Sequence, residues 1–312
     1  MMFYKKMGYL LFLMNKKRGI KMSKNITNNI SPLRYPGGKT KLYFFVKELI
    51  RENNCKTYIE PYAGGAGVAL KLLLHNDVQK IMINDFDKAI YSFWYSVLYY
   101  TDELVKKIEE TPITMEEWYI QKNIYENKAN SNSILELGFA TLFLNRTNRS
   151  GILKAGVIGG KSQDGNYKLD CRFNKIELIR KIKKIASLKS RIKLYNLDAE
   201  VFIRRNISKT KDSFTFFDPP YYKKGPGLYT NFYNHEDHLS LSETIKNSMK
   251  DKNWILTYDL SDEIFRMYKD YSYKMYYLNY SVARPGKGIE YIFYSNYLKK
   301  INDENYLNLV IE

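Results

Sequence analysis

The chain has 312 residues, of which 45% are hydrophobic, so it can bury the core of one large domain with an insertion or of two modest domains. Its 50 Lys and Arg residues outnumber its 33 Asp and Glu residues, which favours a polyanionic partner, although a Lys-rich composition can also reflect AT-rich coding sequence. Two cysteines without a CxxC pair and three scattered histidines argue against a disulfide framework and a zinc site, and they fit a reducing cytoplasm.

Residues 1–30 form a basic extension with seven Lys or Arg residues and no acid. Its apolar run, Met7–Met14, is too short to span a bilayer, and no small-residue cleavage site of a signal peptide follows. We predict that the extension is disordered. Met22 would be an ordinary start, so residues 1–21 are either an upstream start assigned in error, which we favour, or a basic tail that contacts DNA or a membrane.

From residue 56 onward, short β-rich runs alternate with helical patterns, as is typical of a parallel α/β sheet. The predicted strands are Lys56–Glu60, Lys80–Asp85, Ile192–Leu197, Ser213–Asp218, Trp254–Tyr258, Tyr273–Tyr280 and Glu290–Ser295. The last two are predicted to form a hairpin around a turn at Arg284–Gly288. The predicted helices of this part are Lys41–Glu52, Val68–Leu74, Lys88–Tyr100, Asn174–Ser187 and Leu239–Lys250.

The alternation breaks between residues 101 and 190. Three helical patterns come first, and a segment rich in Gly and Asn follows at Asn145–Asn166. The helical patterns are Thr101–Glu110, Met115–Asn127 and Ile134–Leu144. We predict that residues 101–190 are an inserted, mostly helical module, and that residues 31–100 and 191–300 form the domain that it interrupts.

A Gly-rich turn, Glu60–Gly67, follows the first predicted strand and precedes a helix. Glycines at this place allow a sharp turn and close approach of a ligand to the backbone, although many such turns only reverse the chain. Asp85 ends the next strand, where it either accepts hydrogen bonds from ribose hydroxyls or caps the following helix. We expect the neighbouring Phe86 to pack against an adenine ring.

The segment Phe216–Tyr222 carries the most specific pattern. Asp218 ends an apolar strand, and the two prolines after it stiffen the backbone and remove N–H donors, so that local carbonyls can accept hydrogen bonds from a ligand. This predicts a site for a flat ring with an amino group, whose hydrogens are accepted by Asp218 and by the Pro219 carbonyl while Tyr221 stacks on the ring. A plain strand ending in a proline turn is the alternative.

These segments together resemble the DNA adenine methylase family, in the branch whose target-recognition domain lies between the cofactor and catalytic motifs. Ser31–Lys39 resembles its N-terminal cofactor motif, and Glu60–Gly67 resembles its Gly-rich motif, with Tyr62 where Phe is usual. Asp218–Tyr221 is its DPPY tetrapeptide. The insertion at 101–190 lies where the family has its target-recognition domain, and the resemblance covers roughly residues 31–298.

The resemblance implies a Rossmann-like class I methyltransferase sheet of seven strands with a C-terminal β-hairpin. It implies S-adenosyl-L-methionine as cofactor, no metal, and the N6 amine of a flipped adenine in duplex DNA as methyl acceptor. The implied catalytic residues are Asp218, Pro219, Pro220 and Tyr221. The implied cofactor-binding residues are Tyr35, Pro36, Gly37 and Lys39 at the methionine end, Glu60, Tyr62, Gly64 and Gly67 in the middle, Asp85 at the ribose, Phe86, Asp198 at the adenine amine, and Asp218. For Asp198, capping of a helix N-terminus is the alternative.

The basic residues supply candidates for DNA contact. Cys171–Lys193 has a net charge of +8 over 23 positions, which indicates either a solvated helix face or a surface that binds phosphates. The predicted DNA-binding residues are Arg146, Arg149, Arg172, Lys181, Lys183 and Lys184. The loop Lys223–His235 is a candidate to close over the flipped base. Further expected properties are a cognate restriction endonuclease as partner and a monomer or weak dimer.

Other functions stay open at this point. The alternatives are methylation of the cytosine N4 amine or of RNA adenine, methylation of a protein glutamine, and a catalytically inactive DNA-binding relative. The resemblance implies Ser at position 218 for cytosine enzymes and Asn for glutamine enzymes, so Asp218 favours adenine. An intact DPPY motif argues against an inactive relative.

The N-terminal extension gives a first testable prediction. A chain that starts at Met22 keeps every motif and loses six of the seven N-terminal charges, so we expect its affinity for DNA and its turnover to match the full chain within about twofold. Methylation of short duplexes at several salt concentrations measures this. A DNA-binding tail would instead show as a loss of affinity at low salt that recovers as salt rises, and a loss above about tenfold at physiological salt would contradict the prediction.

Overall fold

The computed structural model describes residues 30–34, 38–223, 233–280 and 286–310. Seven strands form one sheet in the order β3-β2-β1-β4-β5-β7-β6. The first five in that order are parallel, and β7 is antiparallel to both of its neighbours. The strands are β1 (Thr57–Glu60), β2 (Lys80–Asn84), β3 (Ile192–Tyr195), β4 (Ser213–Phe217), β5 (Asn253–Asp259), β6 (Ser272–Tyr280) and β7 (Gly286–Tyr294). The predicted α/β fold, a Rossmann-like sheet of seven strands with a C-terminal hairpin, is confirmed.

Helices cover both faces of the sheet, and the central strands are apolar for that reason. Every residue of β4 and β5 is buried, which is the pattern of a strand with helices on either side. Successive residues point to opposite faces, so Ile255 belongs to one hydrophobic core and Leu256 to the other. The helices are α1 (Tyr43–Glu52), α2 (Gly67–Leu74), α3 (Lys88–Tyr99), α4 (Thr101–Glu110), α5 (Met115–Glu126), α6 (Ile134–Thr147), α7 (Lys175–Ala186), α8 (Ala199–Phe202), α9 (His235–Ser248) and α10 (Asp262–Tyr268).

Two elements begin four residues earlier than the sequence pattern predicts. Helix α9 starts at His235 rather than Leu239, because the Asn234 side chain and Asp237 form a capping box that satisfies the first turn. Strand β7 starts at Gly286 rather than Glu290, because the backbone of Gly286–Ile289 pairs with β6. Residues 286–288 of the predicted turn therefore belong to a strand, and Arg284 and Pro285 lie outside the described residues.

The helices between residues 101 and 190 share a hydrophobic core with one face of the sheet. Helix α6 is buried along most of its length and packs against α3, and the Thr141 hydroxyl donates a hydrogen bond to the Ala89 carbonyl at 3.1 Å. The contact is close at Gly138, where a β-carbon would lie 2.6 Å from the Ser92 carbonyl oxygen. The division into a catalytic domain and a target-recognition domain stays a prediction.

No described helix is long and apolar enough to cross a membrane. No group of three or more His, Cys, Asp or Glu side chains in the described ranges is arranged to bind a metal ion.

The packing of α6 on α3 gives a second prediction. Gly138→Ala should lower the free energy of unfolding by about 1–3 kcal/mol, because the new methyl group meets backbone that cannot move aside cheaply. Urea unfolding followed by circular dichroism measures this. Lys106→Ala, on the exposed side of α4, is the control and should stay within about 0.5 kcal/mol of the parent. Equal stability of the Gly138→Ala chain and the parent would contradict the packing described here.

Candidate active site

The carboxyl ends of the five parallel strands meet at one edge of the sheet. Because the order is β3-β2-β1-β4-β5, the residues that follow these strands lie side by side in the same order. Asp198 follows β3, Asp85 follows β2, the Gly-rich turn follows β1, Asp218 follows β4, and Asp259 ends β5. Open α/β sheets bind ligands at such an edge.

The Gly-rich turn is held from two sides. The Gly64 N–H donates to Asp85 Oδ2 at 2.8 Å, and the Gly64 carbonyl accepts from the Trp94 indole at 2.9 Å. Gly64 and Ala66 both have positive φ, 45° and 48°. A β-carbon at Gly67 would lie 2.2 Å from the Thr40 hydroxyl oxygen, so the turn packs closely against the segment Lys39–Leu42.

Glu60 joins the end of β1 to helix α2. It is buried, and its Oε1 accepts from the Tyr58 hydroxyl at 3.0 Å and from the Ala69 N–H at 3.1 Å. Burial raises the pKa of Glu60 to about 8, although these two hydrogen bonds oppose the rise. The contacts of Glu60 within the protein are therefore structural, and its predicted contact with the cofactor stays a prediction.

Asp85 lies at the site edge and does not cap the following helix. Its Oδ2 accepts from Gly64, its Oδ1 accepts from the Asp87 N–H at 3.0 Å, and burial followed by the Asp87 charge raises its pKa to about 7. The cap of α3 is Asp87, which accepts from the Ala89 N–H, so the capping alternative for Asp85 is wrong. Phe86 is 62% exposed, so its ring is accessible to a ligand.

Two asparagines that the sequence did not single out fix this edge. The fully buried Asn84 donates to the carbonyls of Pro61 and Leu197, both at 3.0 Å, and accepts from the Leu197 N–H at 2.9 Å. Asn196 donates to the backbone carbonyls of Asp85 at 2.7 Å and Phe86 at 3.1 Å. The only sequence signal for Asn84 is a polar residue that ends an apolar strand.

Asp198 caps a helix. It is exposed, and its Oδ1 accepts from the N–H groups of Glu200 at 3.0 Å and Val201 at 3.1 Å at the start of α8. The capping interpretation is confirmed. Binding of the cofactor adenine by Asp198 stays a prediction.

Asp218 lies at the end of β4 with a partly exposed side chain. Its Oδ1 is 2.9 Å from Lys39 Nζ and accepts from the Thr257 hydroxyl at 2.8 Å. Burial raises the pKa of Asp218 above its ordinary value; Lys39 opposes this rise and Glu290 adds to it. Two bonds to one oxygen fix the orientation of the carboxylate.

Lys39 and Tyr221 form a buried network with Glu290 from β7. Lys39 Nζ lies 2.8 Å from the Tyr221 hydroxyl and 3.3 Å from Glu290 Oε2. The Tyr221 hydroxyl donates to Glu290 Oε1, and the Tyr276 hydroxyl donates to Glu290 Oε2 at 2.6 Å. Sequence reasoning missed Glu290, Tyr276 and Thr257, since they lie on strands that carry no motif; the one signal is an acid within the apolar run of β7.

The ring of Tyr221 is enclosed in this arrangement, with 1% of the residue exposed. Pro219 is also buried, and Pro220 is half-buried. Beyond the prolines, the Asp259 carboxylate accepts from the N–H groups of Tyr222 at 2.9 Å and Lys223 at 3.0 Å. Stacking of Tyr221 on a base stays a prediction, and it requires the groups that cover the ring to move.

Some of the predicted residues lie outside the described ones. These are Tyr35, Pro36 and Gly37 of the N-terminal motif and residues 224–232 of the loop predicted to close over the base. The hydroxyl of Tyr233, the next described residue, lies 3.1 Å from the hydroxyl of Tyr62. The Gly-rich turn therefore contacts the C-terminal end of this loop.

Three of the six predicted DNA-binding residues lie together. Burial, Arg34 and Arg172 lower the pKa of Arg146 to about 10, and burial and Arg146 lower the pKa of Lys181. Arg34, Arg146, Arg172 and Lys181 therefore form one cluster of like charges, which we call the basic cluster. Arg149, Lys183 and Lys184 are exposed.

Known proteins are similar to this chain in sequence. The sequence model of the D12 class N6 adenine-specific DNA methyltransferases matches residues 35–283. The type II methyltransferase M.MjaIII of Methanocaldococcus jannaschii is 24% identical over 204 residues, which cover 61% of this chain and 68% of that protein.

Two solved structures are similar to this chain at low identity. The methyltransferase domain of bacterial CtHen1-CN has a TM-score of 0.35 and 10% identity, with 82% of this chain and 98% of that chain covered. The rRNA methyltransferase aviRa from Streptomyces viridochromogenes has a TM-score of 0.36 and 11% identity, with 84% and 86% covered. Because these scores are low, the fold assignment depends on the sheet order. The family match spans the edge residues from Lys39 to Asp218, and the chain belongs to the D12 class N6 adenine-specific DNA methyltransferase family.

Proposed function

We propose that this adenine-specific DNA methyltransferase uses S-adenosyl-L-methionine as the methyl donor and holds the target amine at Asp218. The observation that carries the proposal is the position of Asp218. Its carboxylate is fixed by Lys39 and Thr257 at the end of β4, next to the strand that carries the Gly-rich turn. Donor and acceptor would thus meet between two adjacent strands.

The residues at the edge suit the proposed cofactor. Asp85 offers a carboxylate to ribose hydroxyls, Phe86 offers an exposed ring to adenine, and the turn at Gly64 has no side chain to obstruct a ligand. The cofactor supplies a methyl group on a positively charged sulfonium. Two carboxylates, Asp218 and Glu290, against the single ammonium of Lys39 favour a cation at this place.

Asp218 would make the amine a better nucleophile. An adenine amine is a poor one, because its lone pair is delocalised into the ring. Hydrogen bonds from its two N–H groups to Asp218 and to the Pro219 carbonyl would favour a pyramidal nitrogen whose lone pair points at the methyl group. Because Lys39 and Thr257 both contact Oδ1 of Asp218, we assign Oδ2 to the amine.

Charge and alignment supply the remaining rate enhancement in this proposal. The fixed carboxylate lies opposite the positive charge that develops on nitrogen. Alignment of the reacting atoms can contribute up to about 7–11 kcal/mol. The target base must leave the DNA stack first, which costs a few kcal/mol.

The basic cluster is proposed to bind DNA phosphates. The four like charges repel each other, Glu177 offsets part of that repulsion at Arg146 and Lys181, and a phosphodiester oxygen would relieve the rest. Arg146 Nε is buried and has no hydrogen-bond partner within the described part of the chain, so the guanidinium is incompletely compensated by the protein itself. Residues 101–190, which supply three of the four cations, are the proposed target-recognition domain.

We also propose a cellular context for the enzyme. The composition and the DNA substrate favour the cytoplasm. The similarity to a type II methyltransferase supports a cognate restriction endonuclease as partner.

The role of Asp218 gives a third prediction. Asp218→Ala should lower kcat at least about a hundredfold, because the charge opposite the reacting nitrogen is lost, and should leave the Kd for the cofactor within a few-fold. Transfer of a labelled methyl group measures kcat, and calorimetry measures cofactor binding. A variant that binds the cofactor poorly yet turns over normally at saturating cofactor would show that this assignment is wrong.

The basic cluster gives a fourth prediction. Arg172→Ala should weaken binding to every DNA sequence alike and should lower the slope of log K against log salt concentration by about 1, because one phosphate contact is lost. Arg266→Ala, on the exposed side of α10, is the matched control and should bind as the parent does. A change in the methylated sequence at an unchanged salt slope would mean that Arg172 reads bases.

A further inference from the structure

Glu290 is a buried acid that no motif of the sequence explains. It lies in the middle of β7, opposite Tyr276 of β6 and Asp259 of β5, and its side chain is 0% exposed. A buried carboxylate is retained at low cost only where cations and hydrogen bonds compensate for its lost hydration. The partners that compensate Glu290 belong to the active site.

Both carboxylate oxygens of Glu290 accept hydrogen bonds, each from a different tyrosine. Oε1 accepts from Tyr221 and Oε2 accepts from Tyr276, so the carboxylate has a fixed orientation. Lys39 Nζ lies 3.4 Å from Oε1 and 3.3 Å from Oε2, which places the ammonium astride the carboxylate. Because the Tyr221 hydroxyl donates its hydrogen bond to Glu290, its oxygen can accept a hydrogen bond from Lys39.

The same ammonium reaches Asp218. The three N–H bonds of Lys39 can be directed to Asp218 Oδ1, to Tyr221 and to the two oxygens of Glu290. Glu290 thereby constrains the ammonium that in turn constrains Asp218. Removal of the Glu290 charge would leave Lys39 with one carboxylate instead of two.

We propose that Glu290 is a positioning residue for methyl transfer, which holds Lys39 and Tyr221 so that Asp218 presents its carboxylate to the target amine in a fixed orientation. This inference rests on the proposed role of Asp218. Glu290 itself touches neither substrate nor cofactor in this account; it acts through Lys39.

A purely structural role for Glu290 predicts different behaviour. In that case its loss would reduce stability and leave the kcat of the folded enzyme at neutral pH unchanged. In our account the ionised Asp218 is required, so activity falls as pH falls through its pKa. The Glu290 charge raises that pKa and the Lys39 charge lowers it, so the two residues shift the acidic limb of the pH profile in opposite directions. The other titratable groups that act on Asp218 or Lys39 are unchanged in either variant; they are Tyr58, Glu60, Tyr221, Tyr258 and Tyr276.

The experiment compares Glu290→Gln with Lys39→Gln in the full chain, by kcat on duplex DNA at saturating cofactor between acidic and neutral pH. Glu290→Gln should lower kcat about tenfold to a hundredfold, because one tyrosine loses its acceptor and Lys39 shifts, while KM for DNA stays within a few-fold. The acidic limb of the profile of kcat against pH should move to lower pH in Glu290→Gln and to higher pH in Lys39→Gln, in each case by about half a pH unit or more.

Two further variants separate charge from geometry. Glu290→Asp keeps the charge and loses reach, so its kcat should fall while its acidic limb stays where the parent has it. Glu243→Gln makes the same chemical change on the exposed side of α9, and it should match the parent in both respects. Melting temperature and cofactor affinity are measured for every variant.

The outcomes are distinct. A folded Glu290→Gln enzyme with the parent's kcat, or with a lowered kcat and an unshifted limb, overturns the proposal. If Glu290→Gln fails to fold, Lys39→Gln and Glu290→Asp decide, and a limb of Lys39→Gln that does not move to higher pH overturns it. A parent that methylates no adenine, or an Asp218→Ala chain that stays active, refutes the proposed function instead.

Discussion

The ammonium of Lys39 lies between the carboxylates of Asp218 and Glu290, and this charge triad joins three parts of the chain that are far apart in sequence. Lys39 and Glu290 are buried, so each compensates for the lost hydration of the other, while Asp218 is partly exposed. Lys39 comes from the turn before α1, Asp218 ends a parallel strand, and Glu290 lies on the antiparallel strand β7. The triad can form only when β7 is inserted next to β5, so the sheet order that is typical of this fold has a direct chemical consequence at the site.

The segment Lys39–Leu42 also supports the side of the site that is proposed for the cofactor. Thr40, the residue after Lys39, packs against Gly67 so closely that a side chain there would collide with it. The Gly-rich turn is bound in turn to Asp85, and the backbone of Asp85 is held by Asn196. The proposed donor and acceptor positions thus share one rigid support, which is what a reaction dependent on alignment requires.

The sequence predicted well those features that depend on local pattern. Strand and helix periodicity predicted the sheet, and the DPPY segment placed Asp218 at the end of β4. Glu290 and Asn84 were missed, because the role of a polar residue in an apolar strand depends on the groups that the fold places next to it. The enclosure of the Tyr221 ring was equally unpredictable, since it depends on Glu290. Asp87, and not Asp85, caps α3, because the helix begins at Lys88, as its periodicity predicts.

We propose that this chain methylates the N6 amine of adenine in DNA with the methyl group of S-adenosyl-L-methionine. Incubation of duplex DNA with the purified full chain and a cofactor that carries a deuterated methyl group, followed by mass spectrometry of the nucleosides, tests this directly. We expect the deuterated methyl group in N6-methyl-2′-deoxyadenosine. Label in N4-methyl-2′-deoxycytidine, or no label in DNA while the cofactor is bound, would contradict it.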